Sequence, residues 1–130
     1  MSTFVLDTHA LVWYLDGDPR LSSTAERSID SPDSTLVVPT IVLAETRYLF
    51  SRKRIGLSFE EISQAIENDD RCVVYPFDLD CVERIDDRLD LHDAVIVVTA
   101  LVFRDFIDPS TKLISKDSAI QMAGVIETVW

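Results

Sequence analysis

Short, unbroken apolar runs alternate along this chain with longer segments of helical periodicity. Phe4-Val5-Leu6, Leu36-Val37-Val38 and Cys72-Val73-Val74-Tyr75 are each too brief for a helix, and stop at Asp7, Pro39 and Pro76. Leu113-Ile114-Ser115 stops at Lys116-Asp117, and Val125-Ile126 follows Gly124. Continuous rather than alternating runs of this kind predict strands buried on both faces, as in a parallel sheet. Between them, Thr40 caps a predicted helix running to about Arg54, with Ile41, Ala44, Tyr48 and Leu49 along one side. Ser58 and Glu61 form a capping box for a helix to about Asn68. Asp78 opens another that carries Cys81, Val82, Ile85 and Leu89, and a short one is expected over Ser118–Ala123. The segment Ala94–Phe103 fits strand or helix by periodicity alone. Its length, and the His92-Asp93 pair before it, favour a helix buried all round. Strands alternating with helices give an α/β fold with a mostly parallel central sheet.

Composition narrows the class. A chain of 130 residues, 47% of them hydrophobic, suits one domain with a full core and no need of disulfides. No repeat, low-complexity tract or linker divides it, so residues 1–130 are read as a single domain. The longest apolar stretch, Ala94–Phe103, falls far short of the roughly 20 residues that span a bilayer. The N-terminus lacks a basic region and meets Asp7 early, unlike a signal peptide. Cys72 and Cys81 have no zinc or CxxC spacing, and are expected as reduced thiols in a cytoplasmic protein. The net charge of −11 argues against a broad electrostatic grip on nucleic acid. It leaves room for carboxylates that await a cation, and for an acidic surface that meets a basic partner.

Four acids sit in or beside apolar segments instead of on polar faces. Asp7 joins Val5-Leu6 to Ala10-Leu11, Glu45 follows Ile41-Val42-Leu43-Ala44, Asp93 precedes Ala94-Val95-Ile96, and Asp117 follows the fourth strand. Each has an ordinary reading. Asp7, Asp93 and Asp117 are suited to helix N-caps, and Glu45 to the wet position of an amphipathic helix. Taken together they suggest more. In parallel α/β folds ligands gather beyond the carboxyl ends of strands, and clustered carboxylates repel unless a cation or proton intervenes. All-oxygen ligation selects hard divalent ions, Mg²⁺ or Mn²⁺, and such a site suits phosphoryl chemistry.

These residues also carry a family resemblance. Asp7-Thr8-His9-Ala10-Leu11-Val12-Trp13, followed by Asp18-Pro19-Arg20-Leu21-Ser22, resembles the start of PIN-domain toxins of the VapC group. Pro39-Thr40-Ile41-Val42-Leu43-Ala44-Glu45 resembles their second motif, Leu91-His92-Asp93-Ala94 the start of the third, and Leu113-Ile114-Ser115-Lys116-Asp117 the fourth. The likeness runs from about residue 3 to residue 126 with the four acids in order. It implies a PIN-like α/β/α sandwich and a metal-dependent endoribonuclease. Asp7, Glu45, Asp93 and Asp117 map to the acidic quartet, and Thr8 and Ser115 to polar supporting positions. It further implies a homodimer and a cognate antitoxin that blocks the site. Ala94 and Lys116 stand where many relatives carry Arg.

On this reading Asp7 and Asp93 hold one Mg²⁺ or Mn²⁺, and Asp117 and Glu45 complete its shell, partly through water. His9 and His92 are assigned supporting or packing roles. Arg47, Arg52, Lys53 and Arg54 form the one dense basic cluster. Arg52, two turns beyond Glu45, is a candidate guide for an RNA phosphate, as is Lys116; ordinary solvated charge is the competing reading. Trp13, Tyr14, Tyr48 and Phe50 are candidates for a protein interface as well as for the core. Two rivals stand beside the toxin: a PIN-fold binding module without activity, and a housekeeping nuclease without an antitoxin. An aspartyl-phosphate enzyme fits less well, because Asp7 is followed two residues later by His9 where a second Asp is needed.

Overall fold

The strand that opens the chain, β1 (Ser2–Leu6), lies at the centre of the sheet. The computed structural model describes residues 2–130. After β1 come α1 (Thr8–Asp16), α2 (Ser23–Asp30), β2 (Ser34–Pro39), α3 (Thr40–Ser51), α4 (Phe59–Glu67) and β3 (Cys72–Tyr75). The second half runs through α5 (Leu79–Glu83), α6 (Leu91–Phe106), β4 (Lys112–Ile114), α7 (Ser118–Ala123) and β5 (Thr128–Val129). The strands form one parallel sheet in the order β3-β2-β1-β4-β5. Val5 is in register with Val37 on one side and Leu113 on the other, and all three are fully buried. That burial is the reason the runs are continuous and not alternating.

Strand order reverses beside β1. The chain leaves it toward β2 and returns on its other flank as β4. Helices α1–α4 fill the connections that run from β1 to β2 and β3, and α5–α7 those that lead to β4 and β5. The crevice that opens beyond the carboxyl ends of β1 and β4 is the topological switch point, where this class of sheet binds ligands. Helix α6 packs on β1 and β4. It is buried from Ala94 through Ala100, and the Thr99 hydroxyl donates to the Val95 carbonyl, 2.9 Å away, so that no polar group there goes unpaired. The ambiguous apolar segment is therefore a helix buried all round.

Several elements depart from the sequence reading. β3 is not buried on both faces: it is an edge strand, and Val73 and Val74 are exposed. The last strand lies at Thr128–Val129 and not at Val125-Ile126, because Gly124, in the left-handed region at φ 65°, ends α7 and turns the chain first. Pro39, not Thr40, holds the N-cap position of α3, with no side-chain cap; the Thr40 hydroxyl instead accepts from the Phe77 amide at 3.3 Å. α3 stops at Ser51 and turns inward through Val42 and Thr46, which leaves Ala44 and Tyr48 exposed. α5 ends at Glu83, so Leu89 lies outside it and Val82 is exposed. α2 has no counterpart in the sequence pattern; Ser22 caps it and only Ala25 and Ile29 are buried. The capping box holds in both directions: the Glu61 amide donates to Ser58 Oγ and the Ser58 amide to Glu61 Oε1, each at 3.1 Å. Cys72 and Cys81 are free thiols.

Candidate active site

Asp7 is fixed by the sheet and by a helix at once. Its amide donates to the Ile114 carbonyl at 3.2 Å, continuing the β1–β4 ladder one residue past the strand. Its Oδ1 accepts from the Ala10 amide at 2.8 Å, which caps α1. Asp117 does the same for α7, with Oδ1 accepting from the Ile120 amide at 3.0 Å. For these two acids the cap and the site are one arrangement: the cap occupies one oxygen and fixes the rotamer. Asp93 is no cap, because Asp90 takes that position in α6 and Asp93 sits in the first turn. Glu45 is half-buried, within α3.

These four carboxylates, from four separate parts of the chain, line one cavity of about 360 Å³. Thr8 and Lys116 line it too, whereas Ser115 is buried beside it, its hydroxyl accepting from the Asp117 amide at 3.1 Å. The electrostatics carry the mark of crowding. Burial pushes the Asp7 carboxyl above its ordinary value; Ser115, the Ala10 amide and His9 pull against it, and Asp117 adds to it. Asp93 is also raised, by burial first and then by the charges of Asp117, Asp90, Glu45 and Asp7. Each partner in that sum comes from a different element or turn, so the four acids share one field.

The donor set is all oxygen, which suits a hard divalent cation. The Thr8 hydroxyl adds a second sign: among the described residues it is the one buried side-chain polar atom without a hydrogen-bond partner. Buried polar groups without partners are rare, and one in the wall of an acidic cavity fits a hydrated ion. Among the described residues, however, no three carboxylate, imidazole or thiol groups are drawn together closely enough to enclose an ion unaided. The residues present fit a metal held partly through water.

Not every expected site residue meets the others. Arg52 follows the end of α3 and does not line the acidic cavity; its guanidinium lies over the Tyr48 ring, 3.6 Å from the centroid. Trp13 is buried, with Arg20 and Lys116 at 4.7 and 5.1 Å from its ring, so it forms a wall of the cavity and not an interface anchor. Tyr14 is half-buried and donates to Asp30 at 2.7 Å. Tyr48 and Phe50 are exposed. Trp130 went unnoticed in the sequence, yet it lines the cavity and meets Trp13 edge-on at 5.8 Å. It follows the last strand directly, but only because that strand lies at Thr128–Val129 and not at Val125-Ile126.

A parallel α/β domain with four carboxylates around its switch point belongs to a recognisable class. The sequence profile of the PIN domain family matches residues 4–122, and the chain belongs to that family. No curated protein matches it in sequence. Among solved structures, it resembles a chain of VapBC2 from Rickettsia felis bound to a promoter DNA fragment, with 15% identity and a TM-score of 0.66 over 98% of this chain and 97% of that one. DNA-bound VapBC from Salmonella typhimurium gives 16% identity and a TM-score of 0.65 over 99% and 98%. VapBC-1 from nontypeable Haemophilus influenzae gives 19% and 0.63 over 98% and 96%. At these identities the likeness is one of fold. Among the described residues no helix is long and apolar enough to cross a membrane.

Proposed function

We propose that the protein is a metal-dependent endoribonuclease and the toxin of a VapBC-type pair, restrained by a small antitoxin. The observation that carries the reading is the convergence of Asp7, Glu45, Asp93 and Asp117 on one cavity at the switch point. These four would hold Mg²⁺ or Mn²⁺, in part through water. Bound there, the ion would neutralise charge on the scissile phosphate and lower the pKa of an attacking water. The caps at Asp7 and Asp117 hold two of the carboxylates in fixed rotamers before any ligand arrives. Ser115 supports both, touching the Asp117 amide and drawing down the Asp7 carboxyl. Burial of Asp7 and partial burial of the other three acids reduce the screening of their charges by bulk water. Lys116 also lines this cavity and would meet a substrate phosphate.

The toxin assignment rests on the PIN family and on the VapBC complexes that share the fold. The charge of −11 favours a basic inhibitor, whose Arg or Lys would neutralise the cluster in place of the ion. A homodimer acting in the cytoplasm completes the reading. The nuclease is tested with chelator-treated protein and a labelled single-stranded RNA. Cleavage should be absent, and should return with millimolar Mn²⁺; cleavage that persists in excess chelator would refute metal dependence, and none with Mn²⁺ would refute the nuclease.

A further inference from the structure

Beside the acidic cavity lies a smaller one of about 230 Å³, lined by Ala44, Glu45, Tyr48 and His92. The two share Glu45. Each ring in the small cavity is tied to an acid of the large one: Tyr48 is one turn beyond Glu45 on α3, and His92 directly precedes Asp93 on α6. Tyr48 is 53% exposed, a large aromatic left on the surface of α3. Its ring is held by the Arg52 guanidinium stacked on it at 3.6 Å. A large aromatic kept in the open and held in place by a cation is arranged for contact.

We infer that this cavity is a base-stacking subsite, which receives one unpaired nucleobase next to the scissile phosphate of a single-stranded RNA. The inference rests on the nuclease reading and adds the class of substrate. Three features choose a base over other occupants. Apart from the Glu45 carboxylate that it shares with the acidic cavity, the lining is two flat rings and a methyl group, a surface that stacks without regard to sequence. The volume lies below the roughly 300–1,000 Å³ of sites that enclose a drug-sized ligand, which suits a single ring system. Arg52, stacked on the Tyr48 ring, supplies the positive charge that a neighbouring phosphate requires. A base in a duplex has both faces covered by its neighbours, so the subsite selects unpaired strands. This also gives Arg52 its place: it orders Tyr48 instead of reaching the acids.

The test compares wild type, Tyr48→Ala and Tyr48→Phe on two oligomers of equal length with Mn²⁺, one ordinary single-stranded RNA and one of abasic ribose phosphates. Tyr48→Ala should raise KM on the ordinary RNA by about 5- to 150-fold, the range for one stacked base, with kcat little changed. Tyr48→Phe should restore KM, and neither change should alter cleavage of the abasic oligomer. Circular dichroism melts that coincide with wild type establish that the variants are folded. An unchanged KM for Tyr48→Ala would overturn the subsite and leave the nuclease standing. Equal loss on both oligomers would overturn it in favour of a structural role for the ring. If Tyr48→Ala cuts RNA normally but releases a co-expressed partner protein, the ring belongs to a protein interface and the inference fails. Wild type that cuts neither oligomer removes the nuclease reading, and the subsite with it.

Discussion

The amide of Asp7 donates to the carbonyl of Ile114 at 3.2 Å, so the hydrogen-bond ladder between β1 and β4 reaches into the site itself. Leu6 pairs with Ile114 in register, and the acids that follow the two strands emerge at the same end of the sheet. Each then caps a helix with one oxygen. Backbone pairing sets where the carboxylates start, and the caps set which way they turn.

The caps separate charge from shape in a testable way. Asn caps as well as Asp, so Asp7→Asn and Asp117→Asn should melt at or slightly above wild type without metal, since repulsion is relieved while the cap is kept. Asp117→Ala should lose about 0.5–2 kcal/mol in urea unfolding, because the Ile120 amide loses its acceptor. Asn and Ala variants that unfold at the same urea concentration would refute the cap as the element that holds the acid.

The raised carboxyls at Asp7 and Asp93 predict a pH dependence with a definite sign. A folded pKa above the unfolded value of 3.8 means that the native state binds more protons across that window. Stability is then fullest below 3.8 and falls as the pH rises through the raised values. Asp7→Asn removes one of these groups, so its advantage over metal-free wild type should be smallest near pH 3.5 and grow toward pH 7. Paired urea titrations at several pH values measure it. An advantage that shrank with rising pH would contradict the assignment.

Thr8 offers a sharper probe of the wall. A buried hydroxyl without a partner costs about 1–3 kcal/mol. Thr8→Val should therefore stabilise the metal-free protein while weakening Mn²⁺ binding. Wild type should gain about 2.7 kcal/mol at a hundredfold excess of Mn²⁺ over Kd, and the variant should gain less at the same concentration. Thermal melts with and without Mn²⁺ give both numbers. Loss of stability in Thr8→Val would mean that the hydroxyl has a partner within the fold.

The partner prediction follows from charge and exposure. Expression of the wild type alone should arrest growth, and Asp7→Asn should lift the arrest. A small basic protein encoded beside it should co-purify with both. Phe50, exposed on α3, is an anchor candidate separate from the cavity. Phe50→Ser should loosen the complex and leave RNA cleavage intact. A wild type that is harmless and purifies alone would remove the toxin reading and leave the nuclease.

Much of this was legible in the sequence, for identifiable reasons. Continuous runs such as Leu36-Val37-Val38 mark buried parallel strands wherever neighbours cover both faces. The same pattern misled at Cys72–Tyr75, because burial of an edge strand is decided by position in the sheet, which no local run records. The Ser58–Glu61 box fixed its helix start through two reciprocal bonds. Helix α2 escaped notice because two buried positions, Ala25 and Ile29, are too few to show a period. In the site, four acids in order marked the cavity, but Trp130 and the Tyr48–His92 cleft depend on how distant elements meet. Helical spacing alone does not show that the Arg52 guanidinium lies over the Tyr48 ring and outside the lining of the acidic cavity.

Joint action of the four carboxylates on RNA is measured most directly by the rate of cleavage of one labelled single-stranded RNA in millimolar Mn²⁺ by wild type, Asp7→Asn, Asp93→Asn, Asp117→Asn and Glu45→Gln. Loss of even an outer-shell metal partner costs about 10- to 100-fold. Each Asn variant should accordingly fall by about 100-fold or more while remaining folded, and Glu45→Gln should keep a trace of activity. An Asp7→Asn protein that cuts at the wild-type rate would contradict the account.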